Sequence, residues 1–162
     1  MTQLDLSIII NIPTQTMQVL DKGDIVKSYL VSTATNGVGC IKDSYQTPTG
    51  EHIIRAKIGG GCAAYTYFEG RRPKGVWSSE LFSTFPDKDW ILSRILWLSG
   101  TEKGHNRLGK VDTMQRYIYI HGMARESQVG TPCSKGCINM LNQDIIELFD
   151  NIPIYTRVSI RG

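Results

Sequence analysis

His121 and Cys137 are the two side chains whose types and placement suit nucleophilic catalysis. The histidine ends an alternating run, Tyr117-Ile118-Tyr119-Ile120, and the cysteine closes the small-residue turn Ser134-Lys135-Gly136-Cys137. A cysteine thiol is a strong nucleophile even when only a small fraction is ionised. An imidazole within hydrogen-bond reach raises that fraction and later protonates the leaving amine. Gly136 has no side chain, so a substrate carbonyl can approach the thiol there. The backbone N–H groups of the turn are candidates for an oxyanion hole. Ser134 can donate or accept a hydrogen bond in the same turn, and Asn139 could orient the turn or a substrate carboxylate. Each residue alone has a plainer reading, an inert cysteine or a satisfied polar residue. The combination H-G…S-x-G-C-x-N points to acyl transfer.

Competing chemistries find less support. The four cysteines, Cys40, Cys62, Cys133 and Cys137, contain no C-x-x-C pair and are too few for a disulfide scaffold. Cys133, Cys137 and His121 could be imagined around zinc, but a second paired ligand motif is missing and His52 and His105 stand alone. No metal is expected. A net charge of +3 without a Lys/Arg run argues against a nucleic-acid partner. No apolar run approaches the roughly 20 residues of a membrane span. Met1 to Asn11 lacks the basic start and long apolar stretch of a cleaved signal, so none is expected.

The elements that must position the pair read as mostly β. Leu6 to Ile12, Met17 to Leu20 and Ile25 to Thr33 form a meander, with turns at Pro13-Thr14-Gln15 and Asp21-Lys22-Gly23-Asp24. Thr35 to Gly50, rich in Gly, Thr and Ser, is either a plain surface loop or a loop lining a site. His52 to Ile58 alternates as a strand, and Gly59-Gly60-Gly61 is a bulge or hinge. Ala63 to Phe68 is short and aromatic. Glu69 to Pro86 has poor periodicity and reads as an irregular excursion. Ile91 to Leu98 is a strand, and Gly100 to Asp112 a second long loop. Arg116 to His121 alternates, with Ile118 and Ile120 facing the core and His121 emerging on the Tyr119 face. Asn142 reads as the N-cap of a helix over Gln143 to Asp150, and Ile154 to Arg161 as the closing strand. The sum is one domain, residues 1–162, a mostly β sandwich or barrel with one or two short helices.

At these residues the chain resembles the L,D-transpeptidase catalytic domain, the YkuD family. That family's motif is a histidine followed at similar spacing by [S/T]-H-G-C-x-[N/R]. The matching residues are His121-Gly122 and Ser134-Lys135-Gly136-Cys137-Ile138-Asn139. The likeness extends over the opening hairpin, Tyr29 to Thr35, the Thr47-Pro48-Thr49-Gly50 turn, R-I-L-W-L from Arg94, and Tyr117 to Gly122. Lys135 departs from it, standing where the family usually has histidine.

The resemblance implies an enzyme acting on peptidoglycan stem peptides, with no metal or organic cofactor. Cys137 would attack the third stem residue and expel D-alanine, His121 would serve as base and then acid, and the Gly122 carbonyl would orient His121. Ser134, Gly136 and Asn139 would complete the oxyanion and substrate contacts. Arg94, Arg116 and Arg125 are candidates, by position, for holding stem carboxylates. An amine acceptor makes the enzyme a transpeptidase and water an L,D-carboxypeptidase; a non-catalytic wall-binding module is the alternative of another class. A periplasmic or wall-facing location is expected from the family, with a cytoplasmic one open because no signal is expected. Cys133 either pairs with Cys137 or is an unremarkable thiol.

Overall fold

Isoleucines at alternate positions of the first strand set the core: Ile8 and Ile10 are buried while their neighbours are partly exposed. A computed structural model describes residues 3–162, so the first two residues of the expected domain lie outside the described residues. The strands are β1 Leu6–Asn11, β2 Thr16–Asp21, β3 Asp24–Leu30, β4 Gly50–Ile58, β5 Thr66–Glu69, β6 Arg72–Val76, β7 Ile91–Gly100, β8 Tyr119–Gly122, β9 Ile138–Met140 and β10 Arg157–Arg161. The helices are α1 Ser79–Thr84 and α2 Asn142–Asn151. All ten strands join one sheet in the order β3-β2-β1-β10-β4-β7-β5-β6, with β8 on β7 and β9 on β8. The class is mostly β with two short helices, in one continuous sheet. Among the described residues no helix is long and apolar enough to cross a membrane.

Strand β7 sorts side chains between two faces. Leu96 and Leu98 enter the main core with Ile120, Ile138, Met140 and, from α2, Ile145 and Leu148. Ile95 faces the other way, into a smaller cluster with Phe68 and Tyr119, against which Trp97 and Cys137 pack. Fully burying one such aliphatic side chain contributes about 1.5–3 kcal/mol. The core therefore holds β7, β8 and β9 in fixed relation to α2.

Four local expectations change. Glu69 to Pro86 is not irregular: it contains most of the β5–β6 hairpin and all of α1. Gly70 and Arg71 turn the hairpin with φ of 56° and 63°, the double positive φ of a type I′ turn. Ser78 caps α1, its Oγ accepting from Leu81 N at 3.2 Å. Periodicity missed them because β6 is exposed throughout and α1 buries no residue. The strand expected from Arg116 starts at Tyr119, because Tyr117 turns the chain at φ 57°. Asn142 is not an N-cap: it is the first helical residue, fully buried, and Leu141 holds the cap position. The closing strand starts at Arg157, since Tyr155 turns at φ 68°.

Candidate active site

Strands β8 and β9 run parallel, with Ile120 opposite Ile138 and His121 opposite Asn139. The two isoleucines point into the core, so by alternation Tyr119, His121, Cys137 and Asn139 share the opposite face. The register places Cys137 opposite Tyr119, one diagonal step from His121. Diagonal neighbours on adjacent strands lie roughly 7–8 Å apart at the backbone, within reach of an imidazole and a thiol.

His121 is completely buried, and its Nδ1 lies 2.7 Å from the Gly122 carbonyl oxygen. A carbonyl only accepts, so Nδ1 carries the proton and the neutral ring presents a bare Nε2 lone pair. That Nε2 is buried with no partner among the described residues. Burial pulls the imidazole below its usual range, opposed by Asp89 and by the Gly122 bond. Cys137 is half-buried; its Sγ accepts from Tyr119 N at 3.3 Å and its S–H donates to Tyr117 O at 3.4 Å. Burial pushes the thiol up, and the Asp89 carboxylate adds to this; the Tyr119 N–H and the Arg116 guanidinium oppose it. At rest the thiol is protonated and directed to the Tyr117 carbonyl, while the Nε2 lone pair of the neutral imidazole is unpartnered among the described residues.

The residue after the histidine must be glycine for steric reasons. A Cβ on Gly122 would stand 2.2 Å from Asn142 Oδ1 and 2.7 Å from the Leu92 carbonyl oxygen. Asn142 anchors this region: its Nδ2 donates to Met123 O at 2.8 Å, and its Oδ1 accepts from Ser93 Oγ at 2.6 Å. Its backbone N–H donates to Glu126 Oε2 at 3.1 Å, and Tyr65 OH donates to the other carboxylate oxygen at 2.5 Å. Spacing gave no sign of this network, since its members are scattered along the chain and meet only across the sheet.

The nucleophile turn is tied internally and from outside. Ser134 Oγ donates to Cys137 O at 2.6 Å and accepts from Gly136 N at 3.2 Å, so the Gly136 N–H is already engaged. Gly136 has φ +133°, and a Cβ there would press on Ile118 Cδ1 at 3.2 Å and Gln46 O at 3.3 Å. Thr47 Oγ1 donates to Gly136 O at 2.9 Å. The Thr35 to Gly50 loop thus lines the site. Arg116 secures this loop, donating to Gly39 O at 3.2 Å, Ser44 Oγ at 3.3 Å and Gln46 O at 2.7 Å.

Two cavities flank the turn, and Lys135 borders both. One, of about 230 Å³, is lined by Phe82, Asp89, Arg125, Cys133, Lys135 and Asn139 among others. Asn139 Oδ1 is buried without a partner among the described residues. The other, of about 200 Å³, is lined by Lys42, Arg116, Tyr117 and Lys135 among others. Of the three arginines expected near the site, Arg116 and Arg125 are there; Arg125 donates to Pro86 O at 3.3 Å and lies over the Phe82 ring. Arg94 is not. It is buried on the face toward α2, its guanidinium 5.6 Å from the Phe149 ring centre and bonded to Ser93 O, because β7 alternation turns it away from Ile95 and Trp97. Arg71, in the hairpin turn, was missed: it donates to Tyr119 OH at 3.1 Å and lies 4.6 Å from the Trp97 ring centre. Asp89, read only as a turn residue, is the carboxylate acting on both His121 and Cys137. All four cysteines are free thiols, and Cys133 faces the larger cavity while Cys137 faces Tyr117 and Tyr119.

Known proteins share both the sequence pattern and the fold. The model of the L,D-transpeptidase catalytic domain, YkuD, matches residues 5–160. A Bacillus subtilis protein assigned to the L,D-transpeptidases, YqjB, is 49% identical over 45 residues, covering 28% of this chain and 26% of that protein. An L,D-transpeptidase structure from Mycobacterium smegmatis superposes with a TM-score of 0.59 at 15% identity, over 99% of this chain and 60% of the other. L,D-transpeptidase 3 from Mycobacterium tuberculosis, in complex with a faropenem-derived adduct, gives 0.60 at 14% identity, over 99% and 62%. This chain thus spans about three-fifths of the length of those two solved structures and a smaller share of the curated relative. With a family match running from before β1 into β10, and His121 and Cys137 brought to one face of the sheet, this chain belongs to the L,D-transpeptidase catalytic domain family.

Proposed function

We propose that this chain carries out L,D-transpeptidation on peptidoglycan tetrapeptide stems through a thioester on Cys137. The observation that carries the reading is the bare Nε2 of His121, its tautomer set by the Gly122 carbonyl, on the same face as Cys137 and one diagonal step away. A substrate carbonyl reaching the thiol sets the proton moving from Sγ to Nε2. The Sγ–C bond forms as the peptide C–N bond breaks, and the imidazolium returns its proton to the departing D-alanine amine. An acceptor amine then attacks the thioester and gives its proton to Nε2; the C–S bond breaks and the leaving thiolate takes that proton back from the imidazolium. Because the Gly136 N–H is bound to Ser134, the Cys137 N–H serves as the oxyanion donor. Asn139 offers its unpartnered Oδ1 to a substrate N–H.

The test is mass spectrometry of a purified disaccharide-tetrapeptide incubated with the protein, beside a Cys137→Ala control. A cross-linked dimer with loss of D-alanine, absent from the control, is the expected outcome. Tripeptide alone identifies water as the acceptor. An unchanged tetrapeptide with folded wild-type protein refutes the reading.

A further inference from the structure

The cavity on the Tyr117 side of the nucleophile turn has an unusual charge balance. Three cations, Lys42, Arg116 and Lys135, border it against one carboxylate, Asp43. Among the described residues none of the three lies within 4.0 Å of a carboxylate, since the two salt bridges are Lys27–Glu147 and Lys88–Glu69. Arg116 is half-buried, and its side-chain hydrogen bonds go to neutral acceptors. Burial lowers its affinity for the proton, opposed by Cys40, Cys137 and Asp43. A partly desolvated cation held by neutral groups favours an incoming anion.

The cavity also adjoins the reacting atoms. Tyr117, on its wall, supplies the carbonyl that accepts the Cys137 thiol. Gln46 O accepts from Arg116 and packs against Gly136. A residue expelled from the scissile bond carries its α-carboxylate carbon only about 2.5 Å from the departing nitrogen. The carboxylate must therefore bind next to the thiol, and this cavity adjoins it through Tyr117 and Gln46. The larger cavity suits this anion less well. Asp87 and Asp89 both line it, and its Lys88 is engaged by Glu69.

We propose that Lys42, Arg116 and Lys135 form a subsite for the free α-carboxylate of the residue expelled as the Cys137 thioester forms, restricting the enzyme to the last peptide bond of its donor. This rests on the thioester reading given above. Lys135, within the nucleophile turn itself, brings a flexible ammonium to the edge of this cavity. Both lysines are exposed, so their replacement leaves the core intact.

The experiment compares two tetrapeptide donors, one ending in D-alanine and one in its carboxamide, by mass-spectrometric release of D-alanine or D-alaninamide. Wild type is expected to prefer the carboxylate. Lys42→Gln and Lys135→Gln should each reduce that preference about fivefold, the scale of one exposed ion pair. The loss should fall mainly on KM, and the double variant should lose more than about tenfold. Equal use of both donors by wild type, or an undiminished preference in the double variant, overturns the proposal alone. Intact mass after faropenem treatment separates the other failure: with no adduct on Cys137 and no donor turnover, the thioester reading falls and the subsite with it. An adduct without turnover of either donor means the donor class is wrong, which also overturns the subsite.

Discussion

Replacing Asn142 by alanine tests whether the buried network beneath Gly122 supports the domain. The side chain is fully buried; it donates to Met123 O at 2.8 Å and accepts from Ser93 Oγ at 2.6 Å. Alanine supplies neither contact. The Met123 carbonyl loses its amide donor, and the Ser93 hydroxyl loses its acceptor. Stranding a buried polar group costs about 1–3 kcal/mol, so the two together set an expected loss of about 3 kcal/mol. For a chain of this size each kcal/mol lowers Tm by about 2–4 °C, giving a fall of about 6–12 °C. Urea unfolding and calorimetry measure both numbers. Ser93→Ala and the double variant complete a cycle. Because Ser93 and Asn142 share one bond, the double variant should cost at least about 0.5 kcal/mol less than the sum of the singles. A loss below about 1 kcal/mol for Asn142→Ala, or strict additivity in the cycle, would refute the reasoning.

Two further outcomes concern protons. Since burial and Asp89 push the Cys137 thiol up, it stays protonated at neutral pH in the free protein. Alkylation of Cys137 by iodoacetamide, followed by peptide mass mapping, should keep accelerating with pH beyond the ordinary thiol range; a plateau below pH 8 contradicts the assignment. His52 is buried between Gly50 O and Thr113 Oγ1, and desolvation pulls it from 6.5 to about 4. The unfolded chain therefore binds the extra proton first. Stability from this group is present above about pH 6.5 and is lost as pH falls through about 4, by roughly 3 kcal/mol. Urea midpoints measured across that window should fall for wild type and flatten for His52→Gln; parallel curves count against the assignment.

Much of the site was legible in the chain because its signals are local. His121 at a strand end with Gly122 after it, Gly136 within the turn, and Cys137 before an apolar strand are readable from residue types at fixed spacing. Side-chain alternation separated Ile118 and Ile120 from the Tyr119 face, and the fold keeps that division. Periodicity failed where an element buries nothing, as in β6 and α1. It also erred where polarity had two explanations: Asn142 suits a helix cap, yet it is a buried hub.

By itself the sequence determined the mostly β class and singled out His121 and Cys137 as the candidate imidazole and thiol. Those readings follow from alternation and intrinsic reactivity, both local, whereas the need for glycine at 122 and 136 comes from distant segments packed against them. Only the tertiary structure decided that β8 and β9 run parallel in the register that sets Cys137 diagonal to His121. It alone turned Arg94 toward Phe149 and Arg71 toward Tyr119. Those choices depend on which distant segments share a core, and a linear pattern does not encode which segments will meet.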